Sequence, residues 1–408
     1  MNCLTSKGLR RMKNVPEIRF KGTASIWEYK NFSYFIERVS MSRKAGEIPG
    51  IEYEDIISGE GVFNKNIFTK KCDKKGVLFV NGDILFGKLR PYLKKIILAT
   101  FEGVAIGDFW IFRSKDVDCR CVYYLVNSNS FMKIANISSG SKMPRADWNL
   151  ISGTKFNFPK DTTEQKNIGT FFYELDRNIY SSKSRLASLK QLKSACLISM
   201  FPQQGETVPR VRFKGFDGEW KICELKQFAF KVTRKNCDKE FTKTFTNSAE
   251  FGVINQNEYF DRTISNSENI GGYYVVENND YIYNPRVSTL APVGPINRNK
   301  LGYTGVVSPL YLVFKANNID KDYLDVFFNT NLWHRYMKLE GNCGARFDRL
   351  SISDELFFEM PIILPSNEAE QRQIASYFRQ LDIQISEQEK RLEKLKQIKA
   401  ACLDKMFV

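Results

Sequence analysis

One histidine, His334, is present in 408 residues, and the nine cysteines (3, 72, 119, 121, 196, 223, 237, 343 and 402) form no C-x-x-C pair. Neither residue type reaches metal-ligand spacing, so no structural zinc is expected. Scattered thiols in an odd number suit a reducing cytoplasm, and the opening MNCLTSKGLRRMKN lacks the apolar core of a secretion signal. No run of 18 apolar residues occurs, so no membrane contact is expected.

Catalytic signatures are equally scarce. GDILFGKLRPY, residues 82–92, opens like a phosphate-binding loop, but Leu89 stands where the magnesium-holding Ser or Thr belongs. The interior, Asp83 to Phe86, is an apolar run that reads as a strand entering a turn, and Pro91 opposes a helix there. Asn284-Pro285-Arg286-Val287 begins like an amine-holding methyltransferase motif, yet both residues after Pro285 are wrong. Asp217-Gly218-Glu219-Trp220-Lys221 contains a nuclease-like Glu-x-Lys inside what proves to be a repeated structural segment. With one histidine and no carboxylate cluster, no general acid–base set can be assembled.

Basic charge is what the chain has in excess: 61 Lys plus Arg against 46 Asp plus Glu, a net +15, pointing to a polyanionic partner. The 43% hydrophobic content suffices for two or three domain cores.

The chain also repeats itself. VPEIRFKG at 15–22 returns as VPRVRFKG at 208–215, and Trp27 as Trp220, at an offset of 193. Asp83 matches Asp280 at 197, GVAIGDFWIFR (103–113) matches GVVSPLYLVFK (305–315) at 202, and Gly140, Lys142 and Arg145 match Gly344, Arg346 and Arg349 at 204. EQKNIGTFFYELDRNI (164–179) pairs with EQRQIASYFRQLDIQI (370–385) at 206, a register kept through KSACLISMF and KAACLDKMF. Offsets that only grow describe one unit duplicated and lengthened in its second copy.

Each copy begins with about 150 residues of short aromatic and β-branched runs broken by Gly, Asn and Asp, a mixed domain of strands and short helices. A long helix follows, opened by Asp161-x-x-Glu164 or Asn367-x-x-Glu370 just after a proline. The expected division is 1–160, 161–206, 207–366 and 367–408. Apolar residues follow helix-seam spacing at Ile168, Phe172, Leu175, Ile179, Leu186 and Leu189, and again at Ile374, Phe378, Leu381, Ile385, Leu392 and Leu395. The two stripes are expected to bury each other, with Cys196 and Cys402 as packing residues. A helix near 40 residues spans about 60 Å, enough to separate two domains by a fixed distance.

Basic and aromatic residues gather at predicted turns: Lys88, Arg90, Tyr92, Lys94, Lys95, Lys142 and Arg145 in the first copy, and Arg286, Arg346 and Arg349 in the second. Arg can fork onto guanine, Lys and Arg neutralise phosphate, and Tyr packs on sugars or bases.

The heads VPxxRFKG-x-W, GDILFGKLRPYLKK, GSKMPRADW (140–148), NPRVSTLAPVGPINRNKLG (284–302) and the paired EQ-x-x-I…LD helices together resemble the specificity (S) subunit of type I restriction-modification enzymes. The resemblance implies an α+β (mixed α/β) fold with two pseudo-twofold target-recognition domains separated by two long antiparallel coiled-coil helices. It implies a non-catalytic cytoplasmic subunit that binds a split double-stranded DNA site. Two methyltransferase subunits and restriction/translocase subunits would be its partners, with S-adenosylmethionine, ATP and Mg on those partners and no cofactor on this chain. The alternative is a nucleic-acid-modifying enzyme with an unrecognised site. The second domain departs from the first in lacking the GKLRPY stretch.

Overall fold

The computed structural model describes residues 16–22, 26–137, 143–256, 270–343 and 348–407. Two compact units partition the chain: residues up to Arg185 joined by those from Gln388 onward, and Leu186–Glu387. Each unit therefore contains one mixed domain and a part of both long helices, Thr162–Ser199 and Glu368–Met406.

The apolar run in GDILFGK becomes the strand Ile84–Gly87, buried along its whole length. It pairs antiparallel with Phe109–Ser114 on one side and Ile96–Leu98 on the other, and Ile36–Val39 completes the four-stranded sheet. Side chains alternate between faces. Ile84, Phe86 and Phe112 pack with Val122 and Phe131 of the helices Cys119–Asn127 and Asn129–Ala135, while Leu85, Ile97 and Ile111 pack with Ile51 and Phe79 of a second sheet. Burial on both faces explains why this strand is apolar throughout instead of alternating. Its last residue is glycine because a Cβ there would meet the Tyr53 ring at 2.6 Å.

Unit 2 rebuilds this sheet in the same order from Ala229–Lys231, Leu312–Ala316, Tyr281–Tyr283 and Ile296–Arg298. The registers correspond: Ile84 lies opposite Phe112, and Tyr281 opposite Phe314. Each domain is closed by pairing its first strand with its last, Trp27–Asn31 with Lys155–Pro159 and Lys221–Glu224 with Pro361–Leu364.

The repeated head has a shared anchoring role. Arg19 forks onto Glu164 at 2.9 and 2.7 Å, and Arg212 onto Glu370 at 2.7 and 2.8 Å, both carboxylates being buried. Trp27 meets Phe407 at 6.2 Å, and Trp220 meets Phe201 at 5.7 Å. Asp161 and Asn367 accept hydrogen bonds from the second residue beyond them, as helix-opening residues do.

Within unit 1 Asp176 meets Lys399 at 2.5 Å and Ser182 meets Gln388, so numbers fall along one helix as they rise along the other. Unit 2 shows the same antiparallel sense in Lys193–Asp382, at 2.6 Å, and Cys196–Tyr377, at 3.5 Å. The apolar stripes do more than bury each other. Ile168, Phe172 and Leu175 belong to the core of unit 1, and Ile374, Phe378 and Leu381 to the core of unit 2. Leu392 is buried, whereas Ile179, Leu186, Leu189, Ile385 and Leu395 are half-buried, as are Cys196 and Cys402. The first turns of each stripe thus join the core of one unit, and the later turns of the other helix, Leu395 and Cys402 in unit 1 and Leu189 and Cys196 in unit 2, pack against that same core.

Candidate nucleic-acid interface

Beyond Gly87 the chain of unit 1 lies against residues 144–146. Arg90 N–H donates to the Pro144 carbonyl at 2.7 Å, Ala146 N–H to the Lys88 carbonyl at 2.9 Å, and Leu89 forms a β-bridge with Arg145. Two motifs more than fifty positions apart in sequence thereby share one surface.

Arg90 adopts a left-handed backbone, φ 48°, before the single 3-10 turn Pro91–Leu93, and Lys94 follows at φ 47°. Such a conformation costs a side-chain-bearing residue about 1–3 kcal/mol, so the surrounding bonds must hold it. Tyr53 supplies one of them, donating its hydroxyl to the Leu89 carbonyl, and burial pushes its pKa up to about 12.

Arg90, Tyr92 and Arg145 are exposed, and Lys88 is half-buried. Asp108, which sequence reasoning missed, stands between the cations: one carboxylate oxygen is 3.8 Å from Lys88 Nζ, the other 3.1 Å from Arg145. Close by in sequence to Arg145, Trp148 meets Trp110 at 5.7 Å and carries the Arg38 guanidinium 4.6 Å from its ring centre. No local pattern marks Arg38. Lys94 and Lys95 turn away from this group. Burial lowers the Lys94 pKa, aided by Lys399, while Lys95 donates to the Ile56 carbonyl. Lys142 lies outside the described residues.

Unit 2 repeats the backbone frame with other side chains. Arg286 forms the β-bridge with Arg349, Leu350 N–H donates to the Pro285 carbonyl, and Val287 N–H to that of Asp348, both at 2.9 Å. Arg349 therefore stands where unit 1 has Arg145. Arg286, however, occupies the place of Leu89, and Pro285 and Leu310 replace Lys88 and Asp108. Arg145 and Arg349, matched in the sequence, thus occupy the same place in the frame, whereas Arg286 has no basic counterpart in unit 1; Arg346 lies outside the described residues. Arg286 and Arg349 are exposed, and no carboxylate among the described residues pairs with either. Beside them is a cavity of about 220 Å³ lined by Tyr274, Tyr283, Pro285, Leu310, Tyr311 and Leu350.

The motifs that imitate enzymes are used structurally. Asn284 donates to the Asn247 carbonyl at 2.9 Å and accepts from Arg286 N–H at 3.0 Å, leaving little of its amide for a substrate. The Asp217 and Gly218 carbonyls receive Arg212. His334 stacks edge-on to Trp333 at 4.7 Å, and burial lowers its pKa. Among the described residues no group of three or more His, Cys, Asp or Glu could hold a metal ion, and no helix is long and apolar enough to cross a membrane.

Two copies of one frame, presenting different cations and each built onto paired long helices, define a duplicated two-unit architecture. Residues 217–397 match the family model described as type I restriction modification DNA specificity domain. A 75-residue segment is 32% identical to the type I restriction enzyme EcoDI specificity subunit of Escherichia coli, covering 18% of this chain and 17% of that relative. The fold is similar to the S subunit of a type I restriction-modification system from M. genitalium, with a TM-score of 0.59 and 13% identity over 97% of this chain and 99% of the other. It is also similar to a chain from a study of type I R-M complex assembly and conformational transition, at a TM-score of 0.51 and 16% identity over 95% and 98%. The resemblance to type I specificity subunits drawn from the sequence thus holds in both the family model and the fold.

Proposed function

We propose that this chain is the DNA sequence-specificity subunit of a type I restriction-modification complex. Each unit reads one half of a split duplex site, and the long helices provide the surface on which methyltransferase and restriction subunits assemble. The chain itself is non-catalytic; S-adenosylmethionine, ATP and Mg belong to those partners. The observation that carries the reading is the repeated frame, Leu89–Arg145 in one unit and Arg286–Arg349 in the other, with different side chains mounted on it. Identical scaffolds bearing different donors are what reading two unlike half-sites requires, since phosphate contacts position a protein and base-edge contacts specify.

The test is to sequence modified adenines in DNA from cells expressing this chain with its methyltransferase. Modification at one split sequence is expected, lost when Arg286 and Arg349 are both replaced by alanine or when the chain is omitted. Modification that persists unchanged without the chain refutes the proposal.

A further inference from the structure

Given the function proposed above, the two units differ in one chemically decisive position. We propose that Asp108 is a base-reading residue, accepting a hydrogen bond from the exocyclic amino group of cytosine or adenine in the half-site bound by unit 1.

Four observations bear on it. Asp108 sits where the sheet ends, its backbone carbonyl receiving Lys88 N–H at 2.9 Å, and its side chain is 27% exposed beside Arg145. The bridge does not require its side chain, because unit 2 forms the matching Arg286–Arg349 bridge with Leu310, 56% exposed, at the aligned position. Nor does stability account for it: its contacts to Lys88 and Arg145 are solvent-accessible ion pairs at 3.8 and 3.1 Å, a kind that contributes little to stability. Finally, a carboxylate opposes the task of a surface that must approach phosphates, in a chain carrying +15.

A negative group at such a place is useful for discrimination. In the major groove, cytosine N4 and adenine N6 donate hydrogen bonds, whereas guanine O6 and N7 and thymine O4 only accept. An ionised carboxylate therefore favours the amino-bearing bases and repels the others. It also holds Lys88 and Arg145 on either side of itself, so the cations flank the base it selects. Unit 2, with Leu310 and two arginines that lack carboxylate partners among the described residues, reads without this restriction.

The experiment uses full-length chains assembled with the methyltransferase subunits: wild type, D108L, which installs the side chain that unit 2 carries, and the reciprocal L310D. Each is mixed with a random duplex library, and bound DNA is sequenced. Wild type should enrich a split site. D108L should retain one half-site and, in the other, lose roughly 5- to 100-fold of its preference for an amino-bearing base at one position, while binding unrelated duplex more tightly. L310D should bind more weakly and change bases only in the half that D108L leaves intact. Identical bases in both halves for wild type and D108L, or equal loss of both halves, overturns the assignment of Asp108. A wild-type complex that enriches no sequence overturns the proposed function instead.

Discussion

Asp83 and Asp280 are the same residue in two copies, and their partners differ. Arg113 forks onto Asp83 at 2.8 and 2.7 Å; its counterpart Lys315 is a point charge, bonded to Glu277 at 2.6 Å and 4.0 Å from Asp280. Burial with so distant a cation pushes the Asp280 pKa up to about 6. A carboxyl whose folded pKa lies above its unfolded value of 3.8 favours folding at low pH, and that contribution is lost as pH rises through about 6. His334, with a lowered pKa, acts in the opposite sense, so the informative quantity is a difference between proteins. Relative to D280N, wild type should gain at most about 1 kcal/mol of unfolding free energy between pH 7 and pH 5, after allowance for partial solvent screening; parallel curves would count against it. Arg90 supplies a second residue-level prediction. Because its φ of 48° suits glycine, R90G should be at least as stable in thermal unfolding as R90A, yet both should bind DNA more weakly than wild type.

At the scale of elements, the paired Arg–Glu forks tie each domain head to the start of a long helix. Removing Arg212 leaves the Glu370 carboxylate, 1% exposed, without its cation, at a cost of about 3–5 kcal/mol. The double variant R212M/E370Q should recover a large part of that loss, because the uncompensated charge is gone. Denaturant unfolding of both proteins checks this, and equal destabilisation would deny the forks an electrostatic role. The helix seam carries a buried polar contact, where Gln388 donates to the Ser182 hydroxyl at 2.6 Å and its carbonyl at 3.1 Å. These two residues are equivalent positions of the repeat, separated by the same offset of 206 as the helices that carry them. In an antiparallel pair only one register brings such equivalents together, which makes a buried polar contact there a register marker.

At the scale of the whole molecule, each mixed domain has its own core and its own strand closure, so recognition should be modular. Replacing residues 1–160 by the corresponding domain of a relative that keeps the Arg19 and Trp27 contacts should change one half of the methylated sequence. Sequencing of modified adenines reads the outcome directly, and simultaneous change in both halves would show that the domains do not read independently.

Duplication, the mixed class of each domain, the long helices and their apolar stripes were all legible in the sequence. Each leaves a local, periodic trace: growing offsets between repeats, 4-3 spacing, proline before each helix. The proposed recognition surface was legible only in part. Lys88, Arg90, Tyr92 and Arg145 drew notice by composition, but Lys94 and Lys95, adjacent in sequence, separate from them because the left-handed backbone at Arg90 and Lys94 redirects the chain on either side of a 3-10 turn. Asp108 differs from Leu310 in plain sight within GVAIGDFWIFR and GVVSPLYLVFK, yet its meaning depends on a strand pairing that sets it between two cations. Which unit's core each part of a helix stripe joins is likewise tertiary. Periodicity determines which face of a helix is buried, and only the packed chain decides against what.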